Sequence, residues 1–203
     1  HTSGVGWYRR MITIDAAPAV ATGAPGDTAA ERVLILHFGA VDYQATVWVN
    51  GQWVGEHEGG YLPFEFDIGA VIQPGENALV VRVADPTDDP ARWPDFPFSE
   101  IPHGKQSWYG PMSGIWQSVW LEERSWFYLR DLRLTPLVAE QALDITLHYS
   151  DGELPPATTF QIQVIDPAGA VVADIRVTDA HTLRLPLPAH ALHLWSPATP
   201  ALY

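Results

Sequence analysis

Apolar residues recur at every second position through most of this chain, a period that suits half-buried β-strands and little else. Val33, Ile35 and His37 alternate with Leu34, Leu36 and Phe38, so this segment predicts a strand covered on both faces. Phe64, Phe66 and Ile68 alternate with Glu65 and Asp67. After the turn residues QPGEN come Leu79, Val81 and Val83, with Val80 and Arg82 on the other side. Ile115, Gln117, Val119 and Leu121 alternate with Trp116, Ser118 and Trp120. No stretch shows the spacing of an amphipathic helix. Many short strands separated by turn residues predict an all-β antiparallel sandwich.

The stretch VWVNGQWVG, residues 47–55, is the sharpest local signal. Asn-Gly is the preferred dipeptide of a two-residue type I′ hairpin, because both positions need positive φ. The expected register pairs Val49 with Gln52, Trp48 with Trp53 and Val47 with Val54.

Composition narrows the partners. Net charge is −13, from 24 acidic and 11 basic residues, and Lys105 is the only lysine. Such a surface lacks the clustered cations that nucleic acid or an anionic membrane requires, whereas a neutral ligand is not repelled. No apolar run approaches the length of a membrane-spanning helix. Cysteine is absent, which removes disulfide and thiolate chemistry and fits a reducing compartment; a bacterial cytoplasm is the expectation. Nine tryptophans supply broad rings suited to cores and to stacking on sugars. The chain opens on HTSGVGWYRR with no initiator Met and closes on LWSPATPALY in mid-pattern, so a fragment of a longer protein is expected.

Between Asp85 and Gly110 lies DPTDDPARWPDFPFSEIPHGKQSWYG, whose five prolines exclude a helix or a central strand. Its aromatic residues Trp93, Phe96, Phe98, Trp108 and Tyr109 predict a loop packed against something rather than a solvated linker. A composition shift follows near Glu122-Glu123-Arg124, and seven of the nine tryptophans precede it. Beyond it come plainer alternating sets: Leu132 and Leu134; Leu143, Ile145 and Leu147; Phe160, Ile162 and Val164; Ile175 and Val177; Leu183, Leu185 and Leu187. Two domains are expected, 1–124 and 125–203. The second is short of the roughly 100 residues of an immunoglobulin-type sandwich, so a truncated one is predicted.

Three ordered segments, LHFGAVDYQATVWVNGQWVGEHEGGYLPFEFDI, GENALVVRVADPTDD and SGIWQSVWLE, resemble the N-terminal region of glycoside hydrolase family 2, the family of β-galactosidases, β-glucuronidases and β-mannosidases. LWSPATPALY resembles an element near the end of the family's immunoglobulin-like domain. The resemblance implies a jelly-roll sugar-binding domain, then an immunoglobulin-like sandwich, then a (β/α)₈ barrel carrying two catalytic glutamates. The family's acid/base is the glutamate of an Asn-Glu pair. Here Asn50 precedes Gly and Asn77 precedes Ala, and these are the only asparagines. No catalytic residue is therefore expected in this chain.

The resemblance also implies sugar contacts at Asn50, in the Val-Asn-Gly turn, and at Asp88, with Asp85 and Asp89 as neighbouring alternatives. An amide and a carboxylate together can fix vicinal hydroxyls. The competing reading of Asn50 is turn chemistry alone. Trp108 and the loop aromatics could stack on sugar or pack against the barrel; packing is the stronger reading. His103 stands where relatives carry Arg in Arg-Gly-Lys-Gln, leaving His103, Lys105 and Gln106 as weaker candidates. Glu56 and Glu58, flanking His57, read as a solvated strand edge. No ligand spacing supports a metal, and no cofactor is expected. The expected partners are a β-glycoside, the absent barrel, and a second copy of the chain in a homo-oligomer.

Overall fold

The computed structural model describes residues 4–15, 32–96, 101, 113–150, 154 and 156–203. The chain forms two compact units, His1–Trp126 and Phe127–Tyr203. Among the described residues there is no α-helix, and strands carry both units.

In the first unit, one sheet runs β1 (Gly4–Ile14), β7 (Gly75–Asp85), β4 (Gln44–Val49), β5 (Gln52–Glu58). The other runs β6 (Phe64–Asp67), β2 (Arg32–Phe38), β9 (Val119–Ser125). A short pair, β3 (Val41–Asp42) with β8 (Gly114–Ile115), adjoins them. All the pairings in this unit are antiparallel. The period-two residues explain the layers. Leu34, Leu36 and Phe38 meet Val47, Val49, Leu79, Val81 and Val83 in one buried core. Phe38 stacks on Phe64 with ring centroids 4.7 Å apart. Burying each such side chain contributes roughly 1.5–3 kcal/mol.

The opposite side of β2 is covered too, as its sequence predicts. Ile35 is 3% exposed, and His37 lies parallel on Trp120 with ring centroids 4.7 Å apart. The His37 ring nitrogens face two carboxylates, Nδ1 3.3 Å from Glu65 and Nε2 2.9 Å from Glu122. Arg124 lies 2.8 Å from Glu122 and 3.7 Å from Glu65, offsetting their charge.

Three details differ from the sequence expectation. The run from Ile115 to Leu121 is not one strand: β8 pairs with β3 and β9 with β2, while the Trp116 and Gln117 amides both point at the Ala40 carbonyl. The segment GVGWYRRMITI, in which only Ile12 and Ile14 follow an apolar alternation, forms the 11-residue edge strand β1. In the hairpin, Val49 faces Gln52 and Trp48 faces Trp53 as expected, but Val47 faces Gly55, not Val54, because a bulge intervenes. A Cβ at Gly55 would overlap the ring of Phe66, so glycine must occupy the position opposite Val47. Gly55→Ala is expected to cost about 1–3 kcal/mol in chemical denaturation, with Phe66→Leu in the same chain restoring part of it.

The second unit is a smaller sandwich. One sheet runs β10 (Leu129–Leu137), β11 (Ala142–Tyr149), β14 (Thr182–Pro186), and the other pairs β12 (Thr159–Ile165) with β13 (Val171–Thr178). Ile145, Leu147, Val164 and Leu185 form its core, with Tyr149 stacked on Phe160. Arg184 makes two hydrogen bonds to Asp144, at 2.7 and 2.9 Å, across the β11–β14 pair. Leu132 and Leu134 of β10 are 42% and 53% exposed, outside that core.

Candidate functional site

Strand β7 has two polar ends, and they do different work. At its start sits the Asn50-Gly51 turn, with φ of 52° and 79° as a type I′ turn needs. The Asn50 side chain donates to the Val71 carbonyl at 3.0 Å and to Asn77 Oδ1 at 2.7 Å, and accepts the Ala78 amide at 3.0 Å. Asn77 is 1% exposed. It donates to the Gln73 and Gly75 carbonyls at 2.7 and 3.0 Å and accepts the Gln73 amide at 2.9 Å. Both amide hydrogens of each asparagine are thus engaged within the protein, closing the QPGEN turn onto the hairpin.

At the far end, β7 finishes on Asp85, whose carboxylate accepts the Ser113 hydroxyl at 2.7 Å. Beside it is Asp42, on β3 and 6% exposed. Burial first, and then the negative charge of Asp85, push the Asp42 carboxyl up to about 6. Burial also raises Asp85, against the opposing pull of Ser113. Gly60 closes over Asp42: a Cβ there would stand 2.5 Å from Oδ1. Trp116 fixes that glycine by donating its indole N–H to the Gly60 carbonyl at 2.8 Å. Next along the chain, Tyr43 donates to Glu58 at 2.8 Å; burial and that bond push its phenol up to about 12. Phe96 meets Tyr43 edge-on, and Trp93, 7% exposed, meets Phe96 in the same way. Here, then, a buried carboxyl backs a partly exposed one, at a sheet end walled by aromatic rings. Such an arrangement accepts hydroxyl hydrogens, and its buried member exchanges a proton near neutral pH.

Residues 1–124 match the family model described as glycosyl hydrolases family 2, sugar binding domain. The chain belongs to glycosyl hydrolase family 2. It is 31% identical over 185 residues to a β-galactosidase of Thermoanaerobacter pseudethanolicus, covering 86% of this chain and 21% of that protein. It is 23% identical over 211 residues to a putative β-glucuronidase of Formosa agariphila, covering 100% of this chain and 17% of that one. In fold it is similar to a family 2 member from Bacteroides cellulosilyticus, with TM-score 0.68, 23% identity, and coverage of 98% of this chain and 25% of that chain. A β-glucuronidase of Ruminococcus gnavus gives TM-score 0.67 at 20% identity, over 99% of this chain and 31% of that one. The chain spans about a fifth of the length of the curated relatives it matches.

Within this family 2 unit, the residues singled out from sequence are not gathered together. Asn50 is level with Ala78 on β7, and Asp85 lies seven residues further along, about 23 Å at the rise of an extended strand. The joint grip on vicinal hydroxyls expected of Asn50 with an aspartate after β7 is therefore not made inside this unit. Asp88 is exposed three residues beyond Asp85. Asp89 runs the turn instead: its carboxylate accepts the Ala91 amide at 3.0 Å and its carbonyl the Arg92 and Trp93 amides. His103, Lys105, Gln106, Trp108, Phe98 and Tyr109 lie outside the described residues.

Of the edge trio, Glu58 holds Tyr43, while His57 stacks on Phe64 at 4.1 Å, where burial lowers its pKa. Ser113 and Gly60 were missed by sequence reasoning, and Asp42 was not among the sugar-site candidates. The available signal was the apolar run LHFGAV leading into Asp42, a polar residue at the end of a stretch built for burial.

Proposed function

We propose that this chain is the sugar-contacting, non-hydrolytic part of a β-glycosidase, and that Asp85 and Asp88 are its sugar-facing carboxylates. The observation that carries this reading is family 2 membership through a sugar-binding domain, in a chain that holds no Asn-Glu pair. The partner in this reading is a (β/α)₈ barrel outside these 203 residues, which supplies a nucleophile and an acid/base glutamate for retaining hydrolysis. Asp85 offers a carboxylate held in place by Ser113, and Asp88 an exposed one. Asn50 serves the sugar indirectly, by fixing the hairpin, since its amide is engaged by Val71, Asn77 and Ala78.

Calorimetric titration with galactose tests this. Weak, millimolar-range heat is expected, and a double Asp85→Asn, Asp88→Asn variant should weaken it at least about tenfold, since a charge-assisted bond contributes roughly 1.5–3 kcal/mol. Aryl β-glycosides should be released no faster than in buffer. Galactose heat indifferent to both aspartates, or turnover by these residues alone, contradicts the reading.

A further inference from the structure

The outer face of the sheet β1-β7-β4-β5, remote from the core, carries a mosaic that none of the above uses. Two ladder rows lie side by side. One places Trp7, Arg82, Thr46 and Glu56 opposite one another, and the next places Arg9, Val80, Trp48 and Trp53. Directly paired residues share a face. Val81, Val47 and Val49 point into the core, so both rows point outward. Trp7 is 63% exposed and Trp53 61%. Trp7 reaches across the small Val80 to stack on Trp48, with ring centroids 5.7 Å apart and planes 27° apart.

Arginine is the second component. Among the described residues, no carboxylate lies within ion-pair distance of Arg9 or Arg82, whereas Arg32, Arg124 and Arg184 each hold one. The Arg9 guanidinium instead rests 3.9 Å from Met11 Sδ. On a chain of net charge −13, two such guanidiniums among indoles form a local positive island, with Glu56 at the far end of one row.

We infer that this face is a second saccharide site, one that takes an acidic sugar. The electron-poor C–H face of a pyranose complements the negative face of an indole. A uronate carboxylate complements the planar donor fork of Arg82, which sits directly opposite Trp7. Three inter-strand spacings of about 4.8 Å give the face a width of about 14 Å, room for a short saccharide rather than a protein surface. A single-stranded oligonucleotide also pairs stacking with arginine, but the net charge of the whole chain repels it. The acidic end of β7, with Asp42, Asp85 and Asp88, repels a uronate, so the two sites divide neutral from acidic sugars.

This rests on the carbohydrate reading above, and the two can fail separately. The test titrates the 203-residue chain with glucuronate, glucose and a six-residue oligothymidylate while following the indole N–H signals by NMR. Glucuronate should move the Trp7 and Trp48 signals, with glucose at least tenfold weaker there. Arg82→Gln and Trp7→Ala should each weaken the glucuronate response about tenfold at unchanged Tm, since neither side chain belongs to the core. Equal response to both sugars, indifference to Arg82→Gln, or tighter binding of the oligothymidylate overturns the inference. Glucuronate shifts confined to Trp116, the reporter of the Asp42 end, overturn it and leave the carbohydrate reading standing. Silence of Trp7 and Trp48 toward glucuronate overturns the inference, and silence toward galactose as well overturns both.

Discussion

Asn77→Ala is expected to lower the unfolding free energy of the first unit by about 3–5 kcal/mol, the largest effect of any single polar substitution proposed for this fold. The side chain is 1% exposed and makes four hydrogen bonds, to the Gln73 amide and carbonyl, the Gly75 carbonyl and the Asn50 amide. Alanine removes all four bonds, leaves the Asn50 amide with Val71 as its one remaining acceptor, and opens a small void. Water does not fully replace a lost partner in so closed a place, so the desolvation cost of those groups stands. A fall in Tm of about 10–15 °C is the corresponding thermal readout. Asn77→Asp separates shape from donation, because it keeps the volume and the acceptor but loses both donors. It should be nearly as damaging. Loss of less than 1 kcal/mol in both variants would mean that the turn is held from elsewhere.

Stability should also fall as pH rises, through Asp42. A carboxyl whose pKa is raised from 3.8 to about 6 binds its proton more tightly in the folded state than in the unfolded one. Its contribution is therefore fully present below about pH 4 and is lost as pH climbs through 6. At 1.36 kcal/mol per unit, and allowing for solvent near Asp85, about 2 kcal/mol should disappear across that window. Asp85, also raised by burial, acts in the same direction. Glu122 and Asp144 act oppositely, because arginine partners hold them below their usual range and their contributions vanish in acid. The informative quantity is thus the difference between wild type and Asp42→Asn, measured by urea unfolding from pH 4 to 8. Asparagine should remove most of the decline, leaving the part due to Asp85, and make the variant the more stable at pH 8. An unchanged slope in Asp42→Asn would show that the buried carboxyl is not its source.

How much of this could be read from the sequence depended on how local each cause was. Alternation located β2, β6, β7 and all five strands of the second unit, because burial of every second residue is written directly into the chain. The Asn50-Gly51 turn was legible for the same reason, since its φ angles are set by two adjacent residues. The bulge beside it was not, because the space at Gly55 is filled by the ring of Phe66, eleven residues away and contributed by the facing sheet. Strand β1 was illegible because its exposed Trp7, Tyr8, Arg9 and Arg10 obey no inside–outside alternation.

Site residues followed the same rule. Asn50 stood out by motif, but its hydrogen-bond partners, Val71 and Asn77, lie 21 and 27 residues away, and only the fold reveals that they engage the whole amide. Asp85 stood out as a carboxylate after a strand. Its companion Asp42 did not, because the pair exists only where β3 and β7 end side by side. Charge patterning along a sequence cannot show that two carboxyls 43 residues apart share one environment.

In the proposed reading, a neutral sugar such as galactose meets this protein at the Asp85 end of β7, and the Asn50-Gly51 turn makes no contact with it. An amide chemical-shift map of the 203-residue chain under galactose tests it most directly. Perturbations are expected at Asp85, Asp88 and Ser113, with Asn50, Asn77 and Ala78 unmoved. Perturbations centred on the Asn50-Gly51 turn, with the Asp85 end silent, would contradict it.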